Sequence, residues 1–249
     1  MKTRIHNALN ETSEKYDVDI LFACESGSRA WGFPSPDSDY DVRFIYRRKN
    51  EDYFTLFPED DQLSFPITDD LDLYGWDIKK VLQLVYKSNC TPFEWLQSPI
   101  IYKDNETFRN SLSALLPDYF SARKHIFHYL GIATGAMEAM KGAEIKIKKL
   151  FYVLRPLLSA KWIAERKTFA PMNIEPLLET ATQSLQAKIK GLIAEKATKN
   201  ESFLIQMDNE MLDFIETNMK HLADYAAGLE QDRFDKSKLD KYFRQCILQ

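Results

Sequence analysis

Two aspartates, Asp39 and Asp41, stand on either side of Tyr40 at the head of the apolar run Val42-Arg43-Phe44-Ile45-Tyr46, and this pairing constrains the chain more than any other feature. Residues two apart on a strand share a face. The two carboxylates therefore point one way, while Tyr40, Val42, Phe44 and Tyr46 alternate onto the other face and enter a core. Adjacent carboxylates on one face repel each other unless a cation lies between them. Hard oxygen ligands of this kind suit Mg²⁺, with Mn²⁺ as the alternative, held by a few carboxylates together with substrate phosphate oxygens. The bland reading of the pair is a solvated acidic turn after Pro34-Ser35-Pro36.

The residues just upstream weigh against that reading. Val18 to Ala23 reads as a buried strand, followed by Ser26-Gly27-Ser28 and a short helical turn through Arg29-Ala30-Trp31. A glycine-containing bend that leads into a helix presents unpaired backbone N–H groups and a positive dipole end to an anion. Gly27 lets the backbone come close, and the Ser28 hydroxyl adds a donor. Arg29, beside this loop, is the better phosphate candidate of the two flanking arginines. Arg43 follows Asp41 on the Asp39 face and is expected to pair with a carboxylate, lowering carboxylate pKa values.

Gly-Ser, a spacer, then Asp-x-Asp entering a strand resembles the signature of the nucleotidyltransferase superfamily that includes DNA polymerase beta and kanamycin nucleotidyltransferase. The fuller pattern from Gly27 to Tyr46, Gly-Ser-Arg-x-x-Gly-x-x-Ser-x-x-Ser-Asp-x-Asp-Val-Arg-Phe-Ile-Tyr, resembles more narrowly a bacterial and phage family of predicted nucleotidyltransferases linked to RNA repair. The superfamily implies a third carboxylate on a later strand. The family pattern Leu-Asp-x-x-Gly-Trp-Asp falls at Leu71 to Asp77 and makes Asp72 that ligand, with Asp70, two residues earlier, as its rival. Asp77, before Ile78-Lys79-Lys80, is better explained as a helix N-cap. The narrow family also shows a Tyr-x-x-Arg-Pro segment, matched by Tyr152, Arg155 and Pro156.

Around this stretch the sequence predicts a helix over 3–16, strands near 18–24, 40–47 and 67–75, a connecting loop over 50–66, an amphipathic helix over 77–89 and a short strand over 99–102. From Asn105 onward the pattern is helical almost throughout, with long helices over Phe120 to Met140 and Ala143 to Glu165 and three more near 176–198, 207–227 and 235–246. Lys148, Tyr152, Arg155 and Ser159 form one polar stripe of the second long helix. Arg155, with Lys148, is expected to reach nucleotide phosphates or the acceptor, against the alternative of a structural ion pair. His125 and His128 lie three apart but lack companions for a metal site and read as ordinary helix residues.

The net charge of −4 is unevenly spread. Residues 1–120 carry 13 basic against 21 acidic groups, giving −8, and residues 121–249 carry 20 against 16, giving +4. An acidic metal-binding half beside a basic half suits a triphosphate or an RNA end. Three widely spaced cysteines argue against disulfides and zinc. No apolar run reaches the ~18 residues that cross a bilayer, and the start lacks a signal peptide's apolar run, so no membrane partner is expected and the cytoplasm is the expected compartment.

The expected architecture is α+β, an α/β domain with a small mixed sheet over residues 1–117 followed by an all-α domain over 118–249 that closes over the nucleotide. The resemblance implies metal-dependent transfer of a nucleoside monophosphate, from ATP by default, to an acceptor hydroxyl such as an RNA end, with release of pyrophosphate. Asp39, Asp41 and Asp72 are the catalytic and metal-binding candidates, and Gly27, Ser28, Arg29, Lys148, Tyr152 and Arg155 the nucleotide-binding ones. A nucleotide or RNA sensor without catalysis, and a glycosyltransferase using Asp-x-Asp, are the alternatives.

Overall fold

The structure, a computed structural model, describes residues 1–57, 59–138, 140 and 144–248. It forms two compact units: Met1–Ala30, Asp39–Tyr119 and Arg233–Gln249 make the first, and Trp31–Ser38 with Phe120–Asp232 the second. The chain is thus not divided once near residue 117, as the sequence suggests. The last helix returns to the first unit, where the Tyr242 hydroxyl lies 3.0 Å from that of Ser111 and Arg47 donates to the Cys246 carbonyl at 2.6 Å.

The first unit is built on a mixed five-stranded sheet in the order β3-β4-β2-β1-β5. Its strands are β1 (Asp19–Glu25), β2 (Tyr40–Arg47), β3 (Gln62–Ser64), β4 (Leu71–Asp77) and β5 (Ile101–Asp104). β2 and β4 run parallel, and the other neighbours are antiparallel. The period-two pattern of β2 is kept: Val42, Phe44 and Tyr46 join Leu71 and Leu73 of β4 in a core covered by Ile5 and Leu9 of α1 (Lys2–Tyr16). Gly75 sits where a Cβ would stand 2.2 Å from the Phe44 ring, so this sheet face closes only around glycine. Asp41, Arg43 and Asp72 are left on the opposite face, half-buried.

The remaining helices of this unit are α2 (Ser28–Trp31, whose last residue belongs to the second unit), α3 (Ile78–Tyr86), α4 (Cys90–Trp95), α5 (Glu106–Leu115) and, at the far end of the chain, α11 (Ser237–Ile247). Asp77 caps α3, its carboxylate accepting from the Lys79 N–H at 2.7 Å. α3 stops short of the predicted Asn89 because Ser88 takes a positive φ of 55°. β4 likewise begins at Leu71 rather than 67, because Asp69 and Asp70 adopt φ of 42° and 65° in a tight reversal. Aspartate tolerates that conformation better than most residues.

In the second unit α6 (Ala122–Glu138), α7 (Ile147–Arg166) and α10 (Asn209–Ala227) pack together, with α8 (Ile174–Leu177) and α9 (Gln183–Lys196) beside them. Leu150, Phe151, Leu154, Leu157 and Leu158 of α7 are fully buried. Ala143, the predicted start of that helix, lies outside the described residues. The predicted helix over 176–198 is instead two, because Thr182 caps α9 by accepting from the Leu185 N–H. A two-stranded ribbon, β6 (Glu144–Lys146) with β7 (Leu204–Gln206), was not foreseen.

Candidate active site

β1 delivers the chain into Ser26-Gly27, and α2 begins at Ser28. Gly27 is required on packing grounds: a Cβ there would lie 1.8 Å from Asp41 Oδ2 and 2.7 Å from its carboxyl carbon. The small-residue loop and the second aspartate are thus one packed unit. The Ser26 N–H donates to the Asp41 carbonyl at 2.8 Å, fastening the loop to the head of β2.

Parallel pairing sets Asp41 opposite Asp72 in register. One guanidinium nitrogen of Arg43, Nη2, lies 3.2 Å from Asp41 Oδ1 and 2.7 Å from Asp72 Oδ2, so the two carboxylates converge on a single positive group. Arg43 also donates through Nη1 to the carbonyls of Val42 at 3.1 Å and Asp72 at 2.9 Å. The expectation that Arg43 pairs with a carboxylate is met twice. Its pull on Asp41 is outweighed, however: burial, joined by the charges of Glu25, Asp72 and Asp39, pushes the Asp41 carboxyl up to about 6. An oxygen-only donor pair that already focuses on one cationic group, with its carboxyl reluctant to stay ionised, fits a hard divalent cation.

The other expected residues make the following contacts. Asp39 is exposed, and no group of three acidic, histidine or cysteine side chains converges as an ion site among the described residues. Arg29 donates through Nε to the Asp39 carbonyl at 3.2 Å and lies over the Tyr40 ring at 3.9 Å, so it braces the chain at Asp39. Asp70 stays in the reversal before β4, where its carbonyl accepts from the Tyr40 N–H at 2.7 Å. Of the two, Asp72 is the one in register with Asp41.

Lys148, Tyr152 and Arg155 belong to the second unit and are engaged there. Lys148 pairs with Glu201, and the Tyr152 ring meets Trp31 edge-on with centroids 5.6 Å apart. Arg155 is only 3% exposed, donates through Nε to the Met172 carbonyl at 3.1 Å and lies over the Trp31 ring at 4.6 Å. These contacts hold Arg155 within its own unit.

Sequence reading did not assign Glu25, the fully buried residue that closes β1. Its carboxylate accepts from the Asp41 N–H at 2.8 Å and the Tyr102 hydroxyl at 2.5 Å. The available signal was an acidic residue ending an otherwise apolar strand, immediately before Gly-Ser.

A strand-turn-helix carrying Gly27 and Ser28, beside paired strands carrying Asp41 and Asp72, is the arrangement expected from the resemblance to polymerase beta-like nucleotidyltransferases. Residues 1–245 match the model of RlaP, described as the RNA repair pathway DNA polymerase beta family, and the chain belongs to that family. It is 40% identical over 238 residues, 94% of this chain and 92% of the other, to the uncharacterized protein YcgL of Bacillus subtilis (strain 168). A structural comparison returns a nucleotidyltransferase-like protein from Exiguobacterium sibiricum 255-15 at 8% identity and a TM-score of 0.32, covering 89% of this chain and 75% of that one.

Proposed function

We propose that the protein transfers a nucleoside monophosphate from a nucleoside triphosphate, ATP in the first instance, to an acceptor hydroxyl, with an RNA end as the acceptor and the cytoplasm as the setting. The observation that carries this reading is the convergence of Asp41 and Asp72 on one positive group beside the Gly27-Ser28 turn. In the reaction a bond forms between the acceptor oxygen and the α-phosphorus. The bond to the oxygen bridging the β-phosphorus breaks, pyrophosphate leaves with its electron pair, and the hydroxyl proton passes to solvent.

Asp41 and Asp72, joined by Asp39 just before β2, would hold Mg²⁺ or Mn²⁺. When bound, such ions neutralise phosphate charge and make the attacking hydroxyl and the leaving group more reactive. The chain's own part is positioning. Gly27 keeps space for the Asp41 carboxylate, and the Gly27-Ser28 turn would hold the departing phosphates. Arg29 braces Asp39, and Arg43 holds the carboxylate pair together in the free protein.

The test is incubation of the protein and its Asp39→Asn/Asp41→Asn double variant with each α-labelled nucleoside triphosphate, Mg²⁺ and total cell RNA. Label should enter RNA only with the unaltered protein and metal. Full transfer by the double variant would sink the reading, and nucleotide binding with no pyrophosphate would favour a sensor.

A further inference from the structure

Glu25 is an acid with 0% exposure lying directly behind the candidate ligands. An unpaired carboxylate is costly to bury, and here it has two specific donors. At this end of the β1–β2 ladder the Asp41 carbonyl takes the Ser26 N–H, whereas the Asp41 N–H on the same edge is taken by a side chain, Glu25 Oε1, at 2.8 Å. The other oxygen, Oε2, accepts from the Tyr102 hydroxyl on β5 at 2.5 Å. Glu25 is itself fixed at both backbone groups: its N–H donates to the Ile100 carbonyl at 2.9 Å, and its carbonyl accepts from the Ser98 hydroxyl at 2.7 Å. The carboxylate thus ties three strands together at the residue whose side chain faces the cationic group. A backbone carbonyl would satisfy the same N–H without burying an ionisable side chain, so the use of an acid here calls for a role.

We infer that Glu25 is a positioning residue for Asp41: anchored by Tyr102, it fixes the backbone at Asp41 and so aims that carboxylate at a divalent cation. The inference rests on the reading of Asp41 as a ligand. Partners that orient a ligand typically change metal affinity by about 10- to 100-fold when removed. They also leave a mark on the free protein, because an amide bonded to a carboxylate resonates at low field and exchanges slowly.

The experiment compares the unaltered protein with Glu25→Ala, Glu25→Gln and Tyr102→Phe, with folding checked by circular dichroism. It measures Mn²⁺ affinity by electron paramagnetic resonance and the ¹⁵N–¹H resonance and exchange rate of the Asp41 amide. In Glu25→Ala, Mn²⁺ should bind about 10- to 100-fold more weakly, and the Asp41 resonance should move upfield and exchange faster. Glu25→Gln, which keeps an oxygen for the amide, should hold the resonance near its original position and weaken Mn²⁺ less than alanine does. Tyr102→Phe should fall between the two. If folded Glu25→Ala binds Mn²⁺ like the unaltered protein with an unmoved Asp41 resonance, the inference fails alone. Should Glu25→Ala not fold, the same null result in Tyr102→Phe overturns it. If the unaltered protein binds no Mn²⁺, the ligand reading of Asp41 fails, and the inference with it.

Discussion

Gly27 and Asp41 are packed so closely that a methyl group on residue 27 would stand 1.8 Å from Asp41 Oδ2. The colliding atoms belong to the end of a side chain, so the cheapest relief is for that carboxylate to swing away while the backbone stays. Gly27→Ala should therefore fold, with stability within about 1 kcal/mol of the original. Nucleotide transfer should fall by about 100-fold, the usual cost of a reactive group displaced by roughly an ångström. Thermal melts and initial rates check this together, and a folded variant with full turnover would disprove it.

Arg43 supplies the positive charge on which Asp41 and Asp72 converge. Removing it in Arg43→Ala leaves two half-buried carboxylates facing each other and should cost the metal-free protein about 2 kcal/mol. The pH dependence follows from Asp41, whose carboxyl is pushed up to about 6. A carboxyl raised in this way contributes stability that is fully present below its unfolded value near 4, and that contribution is lost as pH rises through 6. Without Arg43's opposing pull the loss should extend to higher pH. Added Mg²⁺ should raise the variant's melting temperature more than that of the unaltered protein, and equal shifts would contradict the pairing.

His125 of α6 is buried against Phe120, with ring centroids 5.0 Å apart. Burial first, then the positive charges of His128 and Lys124, push it down to about 3. The unfolded chain takes up a proton below about 6.5 that the folded chain refuses. Stability should therefore fall as pH drops from about 6.5 toward 3, by up to about 1.4 kcal/mol per pH unit from this group. Urea titrations of the protein and of His125→Phe should differ in slope across that window, and parallel slopes would refute the assignment.

Arg155→Ala should unfold more easily, by about 2–4 kcal/mol, because it removes a charge-assisted hydrogen bond to the Met172 carbonyl and a cation–ring contact with Trp31. Arg155→Lys should not rescue it, since an ammonium cannot reproduce the planar contact. A variant with an unchanged melt and lost transfer would return Arg155 to the nucleotide.

How much of this was legible in sequence depended on the length of the signal. The alternation of Val42, Phe44 and Tyr46, the helix over 3–16 and the cap at Asp77 were all readable, because each repeats a period or a local rule. β3, β6 and β7 have three residues each, too few to display alternation. Arg43's pairing was readable from its place two residues after Asp41, but its bridge to Asp72 depends on parallel register, which no local pattern encodes. Glu25 was hidden for the same reason, since its partners Asp41 and Tyr102 lie 16 and 77 residues away.

The return of α11 to the sheet unit has a consequence for synthesis on the ribosome. Tyr242 meets Ser111 across 131 residues of chain, so at translation rates of about 5–20 residues per second the sheet unit waits roughly 7–26 s for its last helix. The apolar side of α5 at Phe108 that Tyr242 covers is bare during that interval. The half of the protein that carries the carboxylates is therefore begun before the helical unit and receives its α11 segment after it.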